Sequence, residues 1–278
     1  MQVTGSTLSA VRRQTRPTGS TAGSRRGAHI RVRPVETLLI VIAAALWGCG
    51  AGLLVPRAAW RLAVAPDEPW RATCPAGHPF TGVGSGWIGR ARCADATSYG
   101  PSTPVVAGVT TLACAVLAAA TGARPDLGVW LVLAPVGVLL AAVDFAAHRL
   151  PDVVTLPLAA TALVLLAVAE LLPQSGGSWT TALLGSLALG TGYFALFLIN
   201  PAGIGFGDVK LALGLGAALG WYGWDILLVG TFAGLLFGAL YGVGLILARR
   251  ANRKTAIPFG PFLIAGAFGG VLLGSYLG

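Results

Sequence analysis

Eight apolar stretches of membrane-spanning length constrain the fold of this chain more than any other feature of its sequence. An α-helix rises about 1.5 Å per residue, so about 20 residues cover the ~30 Å hydrocarbon core of a bilayer. The stretches lie at residues 37–55, 104–122, 127–147, 153–172, 179–199, 204–222, 224–248 and 257–277. The pattern predicts an all-α, polytopic integral membrane protein with about eight transmembrane helices.

The composition supports this class of protein and excludes two others. Of the 278 residues, 55% are hydrophobic and only 10% are charged, whereas a soluble domain carries about 25% charged residues. A water-soluble enzyme and a disordered protein are therefore excluded. The net charge of +9 comes from basic residues in an N-terminal tail and in short loops, which suits an anionic membrane surface better than nucleic acid. We expect membrane lipid but no nucleic acid among the partners, and a multi-pass protein of the cell (plasma) membrane.

The chain divides into three regions by composition. Residues 1–34 hold seven arginines and no recurring apolar positions, which predicts a disordered basic tail. Residues 35–103 combine the first membrane helix with a polar lobe rich in Pro, Gly and Trp. Residues 104–278 carry the other seven apolar stretches and form the main membrane domain.

The basic residues before the last helix indicate how the helices are oriented. This cluster consists of Arg249, Arg250, Arg253 and Lys254. The positive-inside rule places the cluster in the cytoplasm. Counting helices backwards puts residues 145–152, residues 200–207 and the lobe on the same, cytoplasmic side. The same count places the arginine-rich tail outside, against the rule, so the orientation of the tail stays open.

Acidic residues in or beside the apolar stretches are the candidate functional residues, because a charge inside a membrane is costly. The chain has five such positions: Asp144, Asp152, Glu170, Asp208 and Asp225. Glu170 and Asp225 fall at the opposite membrane face, where helix ends reach water. Asp144 lies about one turn inside the cytoplasmic boundary, and Asp208 begins another helix on the same face, so these two could meet.

Two carboxylates that meet share one proton, because like charges within hydrogen-bond distance do not both ionise cheaply. The ionised member can take a proton from a water that attacks a peptide carbonyl. The protonated member can supply a proton to the carbonyl oxygen and later to the leaving amine. The residues alone leave a second interpretation open, namely a structural hydrogen bond, or a salt bridge of Asp208 with Lys210 or of Asp144 with Arg149.

Three motifs around these acids resemble those of the type IV prepilin peptidases, which are GxGD-type membrane aspartic peptidases. Residues 205–210 read GFGDVK and are similar to the GxGDxK signature of that family. Residues 144–157 read DFAAHRLPDVVTLP and resemble its first aspartate block. Residues 257–262 read IPFGPF and resemble its PFGP segment before the final helix. The resemblance covers residues 104–278 and, more loosely, residues 35–103.

The resemblance implies an aspartic endopeptidase in which Asp144 and Asp208 form the catalytic pair. Its substrate would be a type IV prepilin or pseudopilin, a membrane helix with a short basic leader that is cut off at the cytoplasmic face. The reaction needs no cofactor, because the two carboxylates supply the acid and the base.

Seven further residues of the motifs are expected to shape the site rather than to react: Gly205, Gly207, Lys210, Asp152, Pro258, Gly260 and Pro261. The two glycines before Asp208 would let backbone and substrate approach closely, because they lack a side chain. Lys210 would favour the ionised form of Asp208, or else extend to the membrane interface. Asp152 would cap the helix that follows it, and the last three residues would shape a turn.

The lobe departs from the family pattern. Many family members also N-methylate the new N-terminus, and their lobe carries two CxxC pairs with zinc-ligand spacing. Here each pair keeps one cysteine, Cys74 or Cys93, and His78 is the one further candidate ligand. Three ligands are one short of a closed tetrahedral site, so we expect no metal, and N-methyltransferase activity is doubtful.

Two other classes of protein share parts of this pattern. An ion-coupled membrane transporter also uses paired intramembrane carboxylates, but it would show inverted repeats and broken helices in both halves. This chain has a single Gly-interrupted acidic site and no repeat. A non-catalytic scaffold of a pilus or secretion machine would have no reason to keep both acids. The transporter is the alternative that we retain.

Overall fold

The computed structural model describes residues 34–65, 68–201, 203–249 and 257–277. Its helices in chain order are α1 (Pro34–Leu62), α2 (Val83–Gly86), α3 (Thr103–Thr121), α4 (Asp126–Ala147), α5 (Asp152–Glu170), α6 (Trp179–Ile199), α7 (Phe206–Gly220), α8 (Trp224–Leu247) and α9 (Gly260–Leu277). In the described ranges, β-type pairing is limited to two isolated bridges in the lobe, so the all-α prediction is confirmed. The predicted basic tail lies outside the described residues except for Pro34, and so do three of the four basic residues before α9.

Seven of these helices are long and apolar enough to cross a membrane, namely α1, α3, α4, α5, α6, α8 and α9. The remaining predicted segment, residues 204–222, contains α7, which has 15 residues and rises only about 22 Å. Most of its residues are buried, so other helices surround α7 as it runs from the start of the Asp208 motif to the turn that carries Tyr222. The prediction of a multi-pass membrane protein is confirmed, and seven of its predicted spans have the length that crossing requires.

Glycines let the helices around α7 approach closely. A methyl group at Gly185 of α6 would lie 2.7 Å from the carbonyl oxygen of Gly216 in α7. Gly266 of α9 abuts the backbone of Gly230 and Gly234 in α8 in the same way. Membrane helices associate through such close backbone contacts, because burial of apolar side chains gives no advantage over contact with lipid. The helix α6 therefore packs tightly against α7, and α8 packs tightly against α9.

Four helix ends meet at one end of the bundle, which we call the α4–α5 end after the turn at residues 148–151. His148 adopts a left-handed φ of 49° and terminates α4. Pro151 has extended backbone angles, and α5 begins directly after it. The helix α7 begins after Gly205, and α9 begins at Gly260. The three sequence motifs are thus all placed at helix ends on the same side of the bundle.

Candidate active site

Asp144 lies in the last turn of α4 and is 4% exposed. Its Oδ2 accepts a hydrogen bond from the backbone N–H of Gly260 at 3.0 Å. Gly260 is the first residue of α9, so this N–H is one of those that a helix leaves without a partner at its start. The positive end of the α9 dipole also favours a carboxylate there. The contact requires glycine, because a Cβ at position 260 would lie 2.9 Å from Asp144 Oδ2.

Asp208 lies in the first turn of α7 and is 8% exposed. Its Oδ2 accepts a hydrogen bond from the backbone N–H of Gly205 at 3.2 Å. The carbonyl of Gly205 accepts one in return from the N–H of Asp208 at 3.0 Å. This reciprocal arrangement holds the carboxylate at the start of the helix. Among the described residues, no donor contacts Oδ1 of Asp208 or Oδ1 of Asp144, so each acid keeps one oxygen available.

Leu150, in the α4–α5 turn, packs between the elements that carry the two acids. A Cβ at Gly207, next to Asp208, would lie 3.0 Å from Leu150 Cβ. A Cβ at Gly260, the donor to Asp144, would lie 3.3 Å from Leu150 Cδ1. Leu150 itself is only 5% exposed. The structure therefore brings the elements that carry Asp144 and Asp208 together around Leu150, although nothing in the sequence singled out Leu150.

Lys210 forms an ion pair with Asp152 of α5, with 2.6 Å between Nζ and Oδ2. The ammonium group also lies 4.5 Å from the centre of the Phe206 ring. The expectation that Asp152 caps α5 is wrong. Asp152 is the first residue of the helix, the capping position is Pro151, and no side chain caps it. The carboxylate instead contacts a lysine on a neighbouring helix, which sequence neighbours could not reveal.

The two salt bridges that the sequence left open do not form between described residues. Lys210 pairs with Asp152 rather than with Asp208. Arg149 donates from Nη1 to the carbonyl of Ala65 at 2.8 Å, which ties the α4–α5 turn to the start of the lobe. Both central aspartates are held by backbone amides instead.

Pro258, Gly260 and Pro261 lie at the entrance of α9. Pro258 is buried and precedes the helix, whereas Pro261 is its second residue. Proline is well suited to the first turn, because the N–H that it lacks would have no partner there. Pro258 and Pro261 thus lie on either side of Gly260, whose N–H donates to Asp144.

Cys74, His78 and Cys93 come together in the lobe, with their ligand atoms all within 4.8 Å of one another. Burial acts to raise the pKa of the Cys74 thiol, but hydrogen bonds with Cys93 and His78 outweigh it and lower the pKa to about 7. Burial raises the pKa of Cys93. Two thiols and an imidazole are donors that zinc accepts. The described residues supply three of the four ligands of a tetrahedral site.

Sequence reasoning missed a buried acid at the opposite end of the bundle, Asp126, which is fully buried at the start of α4. Its Oδ2 accepts a hydrogen bond from Tyr222 Oη at 2.8 Å, and Arg124 Nε lies 3.9 Å from its Oδ1. Tyr222 also contacts Ser275 Oγ at 2.7 Å. This cluster ties α4 to α9 and to the α7–α8 turn. Arg124, two residues before Asp126 in the sequence, was the signal that could have indicated this cluster.

The fold and this geometry together define a class of protein. Two buried aspartates, held by backbone amides where helices begin or end, lie inside a bundle of membrane-spanning helices. This is the arrangement of a polytopic membrane hydrolase of the aspartic type.

Comparison with known proteins identifies the family. The profile of the type IV leader peptidase family matches residues 131–243, which include both aspartates. The prepilin leader peptidase/N-methyltransferase of Aeromonas salmonicida (strain A449) is 35% identical to this chain over 208 residues, 70% of this chain and 69% of that protein. The chain therefore belongs to the type IV leader peptidase family.

Shorter matches come from relatives with the same printed name. The protein of Aeromonas hydrophila is 38% identical over 138 residues, 49% of this chain and 46% of that protein. The protein of Pseudomonas putida is 39% identical over 94 residues, 34% of this chain and 32% of that protein. The comparison with solved structures gives no match.

Proposed function

We propose that this chain is an aspartic endopeptidase that removes the leader of type IV prepilins or pseudopilins, with Asp144 and Asp208 as its catalytic pair. The observation that carries the proposal is the convergence of the two buried acids around Leu150. The printed names of the relatives supply the substrate class. Membership in a peptidase family also favours this function over the ion-coupled transporter.

The pair performs hydrolysis by sharing one proton. The ionised carboxylate takes a proton from water as the water oxygen bonds to the scissile carbonyl carbon, while the protonated carboxyl donates its proton to the carbonyl oxygen. When the tetrahedral intermediate collapses, the C–N bond breaks and the amine leaves with the proton that the first carboxylate had taken. The oxygen's proton returns to the second carboxylate, which restores the pair. The two apparent pKa values belong to the pair, not to either residue.

The surrounding backbone prepares the two acids for these roles. The N–H of Gly260 holds Oδ2 of Asp144, and the N–H of Gly205 holds Oδ2 of Asp208. Each acid keeps Oδ1 for water, substrate or the shared proton. Rotation of either carboxylate would break its amide contact, so the contacts keep the free oxygens in position before substrate arrives.

The ion pair of Lys210 and Asp152 has a positioning role in this proposal. Lys210 lies two residues after Asp208, and its ion pair joins the start of α7 to the first turn of α5. Asp152 balances the charge of Lys210. The lysine can therefore stabilise the site without drawing the shared proton away from the two catalytic acids. We therefore assign Lys210 to the placement of α7 and not to direct control of Asp208.

The location of the pair suits a substrate that is itself a membrane helix. The charge pattern places the α4–α5 end at the cytoplasmic face, where a prepilin would present the junction between its basic leader and its apolar helix. The N-methyltransferase activity in the relatives' names is not part of the proposal, because the lobe keeps only one cysteine of each expected pair.

Leader cleavage in membranes tests the proposal. A cognate prepilin is co-expressed with the full-length wild-type chain, with Asp144→Asn and Asp208→Asn, and with Asp225→Asn as the matched control, because Asp225 is exposed near the start of α8. Asparagine keeps the shape but does not shuttle the proton, so each of the first two variants should lose roughly a thousandfold in rate. Cleavage by either at the rate of the control would contradict the catalytic pair.

A further inference from the structure

An apolar groove leads away from the two acids into the membrane-spanning part of the bundle. It consists of two cavities, of about 500 Å³ and about 650 Å³. The cavities share four lining residues, namely Val109, Val138, Ala141 and Phe145, so they adjoin along α3 and α4. The first cavity is lined by residues of α3, α4, α5, α7 and α9. We call this space the α3–α9 groove.

One end of the α3–α9 groove adjoins the candidate active site. Phe145 follows Asp144 directly in α4, and Pro261 follows Gly260, the amide donor to Asp144, in α9. Leu211 lies one turn beyond Asp208 in α7. All three helices that carry or hold the acids thus continue into the wall of the groove.

The other end of the groove lies near Trp130, so its length is comparable to a membrane helix. Phe145 and Trp130 both line the first cavity and are 15 residues apart in α4, which corresponds to about 22 Å of helix. The indole Nε1 of Trp130 already donates to Tyr222 Oη at 3.1 Å. The groove therefore presents no free polar group at that end and selects an apolar occupant.

The groove is open along α3. Val109 and Leu112 both line it and are 50% and 65% exposed, so an occupant can enter sideways from the bilayer. Gly137 and Ala141 of α4 line the wall, and such small residues let a helix approach closely. A helix about 22 Å long and about 10 Å wide fills roughly 1,700 Å³, more than the first cavity holds, so the groove accepts one face of such a helix.

We propose that the α3–α9 groove seats the apolar helix of the prepilin, the segment that follows the scissile bond; this inference rests on the proposed function. A bond held between the two acids forces the attached helix to leave the site along a path that begins at Phe145, Leu211 and Pro261. The groove is that path. A bilayer lipid is the competing occupant, but lipid gives no reason for the groove to begin at the acids.

Site-specific photo-crosslinking tests the groove. A benzoylphenylalanine replaces Val138, which lines both cavities, or Val132, which lies on the same helix, is 41% exposed and lines neither. The full-length chain also carries Asp144→Asn to retain uncut substrate, and an epitope-tagged prepilin is co-expressed. We expect at least a fivefold higher yield of the prepilin adduct at position 138. Equal yields at the two positions, or adducts with lipid only, would overturn the proposal.

Groove-filling variants provide a second measurement in the active enzyme. Ala141→Phe fills the space shared by the two cavities, and Ala119→Phe is the control, because Ala119 is exposed on α3 and lines neither cavity. Ala141→Phe should raise KM for full-length prepilin about tenfold while kcat stays within about twofold of wild type. Unchanged KM would count against docking in the groove.

These results separate the two proposals. A wild-type chain that cuts no cognate prepilin contradicts the proposed function, whatever the crosslinks show. A wild-type chain that cuts, combined with equal crosslinking at positions 138 and 132, contradicts only the docking groove. Should Ala141→Phe fail to fold, the crosslinking comparison still decides the question.

Discussion

The two ends of the bundle both bury aspartates, but they surround them with different partners. At the α4–α5 end, Asp144 and Asp208 each accept one backbone N–H and keep one oxygen free of donors from the described residues. At the opposite end, Asp126 accepts the Tyr222 hydroxyl and lies beside the Arg124 guanidinium. The two ends therefore differ in the groups that contact each acid: backbone amides at the α4–α5 end and side chains at the opposite end.

The difference teaches how one fold can use the same residue type for stability and for chemistry. Asp126 accepts the Tyr222 hydroxyl from the α7–α8 turn, and Tyr222 also contacts Ser275 of α9, so this acid serves to join helices. The two acids at the α4–α5 end are held by backbone amides, and neither forms a salt bridge among the described residues. Burial alone therefore does not distinguish the two ends; the partners of each acid do.

The largest expected effect separates the two ends by activity. Asp208→Asn should lower the rate of leader cleavage roughly a thousandfold and leave the thermal midpoint within a few degrees of wild type. Asp126→Asn should keep cleavage within about threefold, but it weakens the contact of the buried carboxylate with the Tyr222 hydroxyl and should cost about 1.5–3 kcal/mol of stability, as for a hydrogen bond to a charged group. Cleavage assays and thermal unfolding of the same detergent-purified samples measure both. A loss of cleavage in folded Asp126→Asn would show that Asp126 contributes to activity and not only to stability.

The next effect tests how closely the Asp144 carboxylate must be placed. Gly260→Ala puts a Cβ 2.9 Å from Asp144 Oδ2, so the carboxylate or α9 has to move. A displacement of about 1 Å can cost about a hundredfold in rate, and we expect a loss of that order in kcat. Gly269→Ala is the matched control, because nothing lies within 4 Å of a Cβ there on the same helix. Similar rates for the two variants would argue against the amide contact.

A smaller effect is expected from the hydroxyl that donates to Oδ2 of Asp126. Tyr222→Phe removes the hydrogen bonds to Asp126 and Ser275, and a buried polar group without a partner costs about 1–3 kcal/mol. The thermal midpoint should fall while the cleavage rate of the folded enzyme stays within about twofold. Tyr276→Phe serves as the control, since Tyr276 is 82% exposed. An equal midpoint for the two variants would show that the cluster does not stabilise the bundle.

The smallest effect concerns the ion pair beside the candidate active site. Asp152 is 58% exposed, and exposed ion pairs contribute about 0.2–1 kcal/mol. Lys210→Met and Asp152→Asn should each reduce kcat no more than about fivefold, and the double variant should be no worse than the more severe single one. Fully additive losses in this double-mutant cycle would show that the two side chains act separately. A thousandfold loss in Lys210→Met would place the lysine in the chemistry itself.

Sequence patterns revealed most of the fold, because a helix that crosses lipid must be apolar along its whole length. The same measure predicted the segment that contains α7, but hydropathy does not distinguish a helix surrounded by lipid from one surrounded by protein. The 15 residues of α7 are apolar for the second reason. Only the structure shows that other helices enclose this segment.

The site was only partly visible in the sequence. The motifs placed Asp144, Asp208 and Gly260 at helix ends, but the role expected for Asp152 was wrong, because its partner Lys210 lies 58 residues further along the chain. Leu150 carried no expected role, although it packs against both acid-bearing elements. Asp126 was overlooked, although it directly precedes the apolar stretch at residues 127–147, and its contact with Tyr222 depends on packing between distant helices.

Local chemistry was therefore sufficient to define an all-α membrane protein and to single out the two acids of the proposed catalytic pair. Hydrophobic periodicity, the cost of charge in lipid and the Gly-rich helix starts all act within a few residues, and the chain itself displays them. The partners of each acid, the groove beside them and the burial of α7 depend on helices that are distant in sequence. Packing decides those features, because only the assembled bundle fixes which backbone amide, side chain or empty space each helix meets.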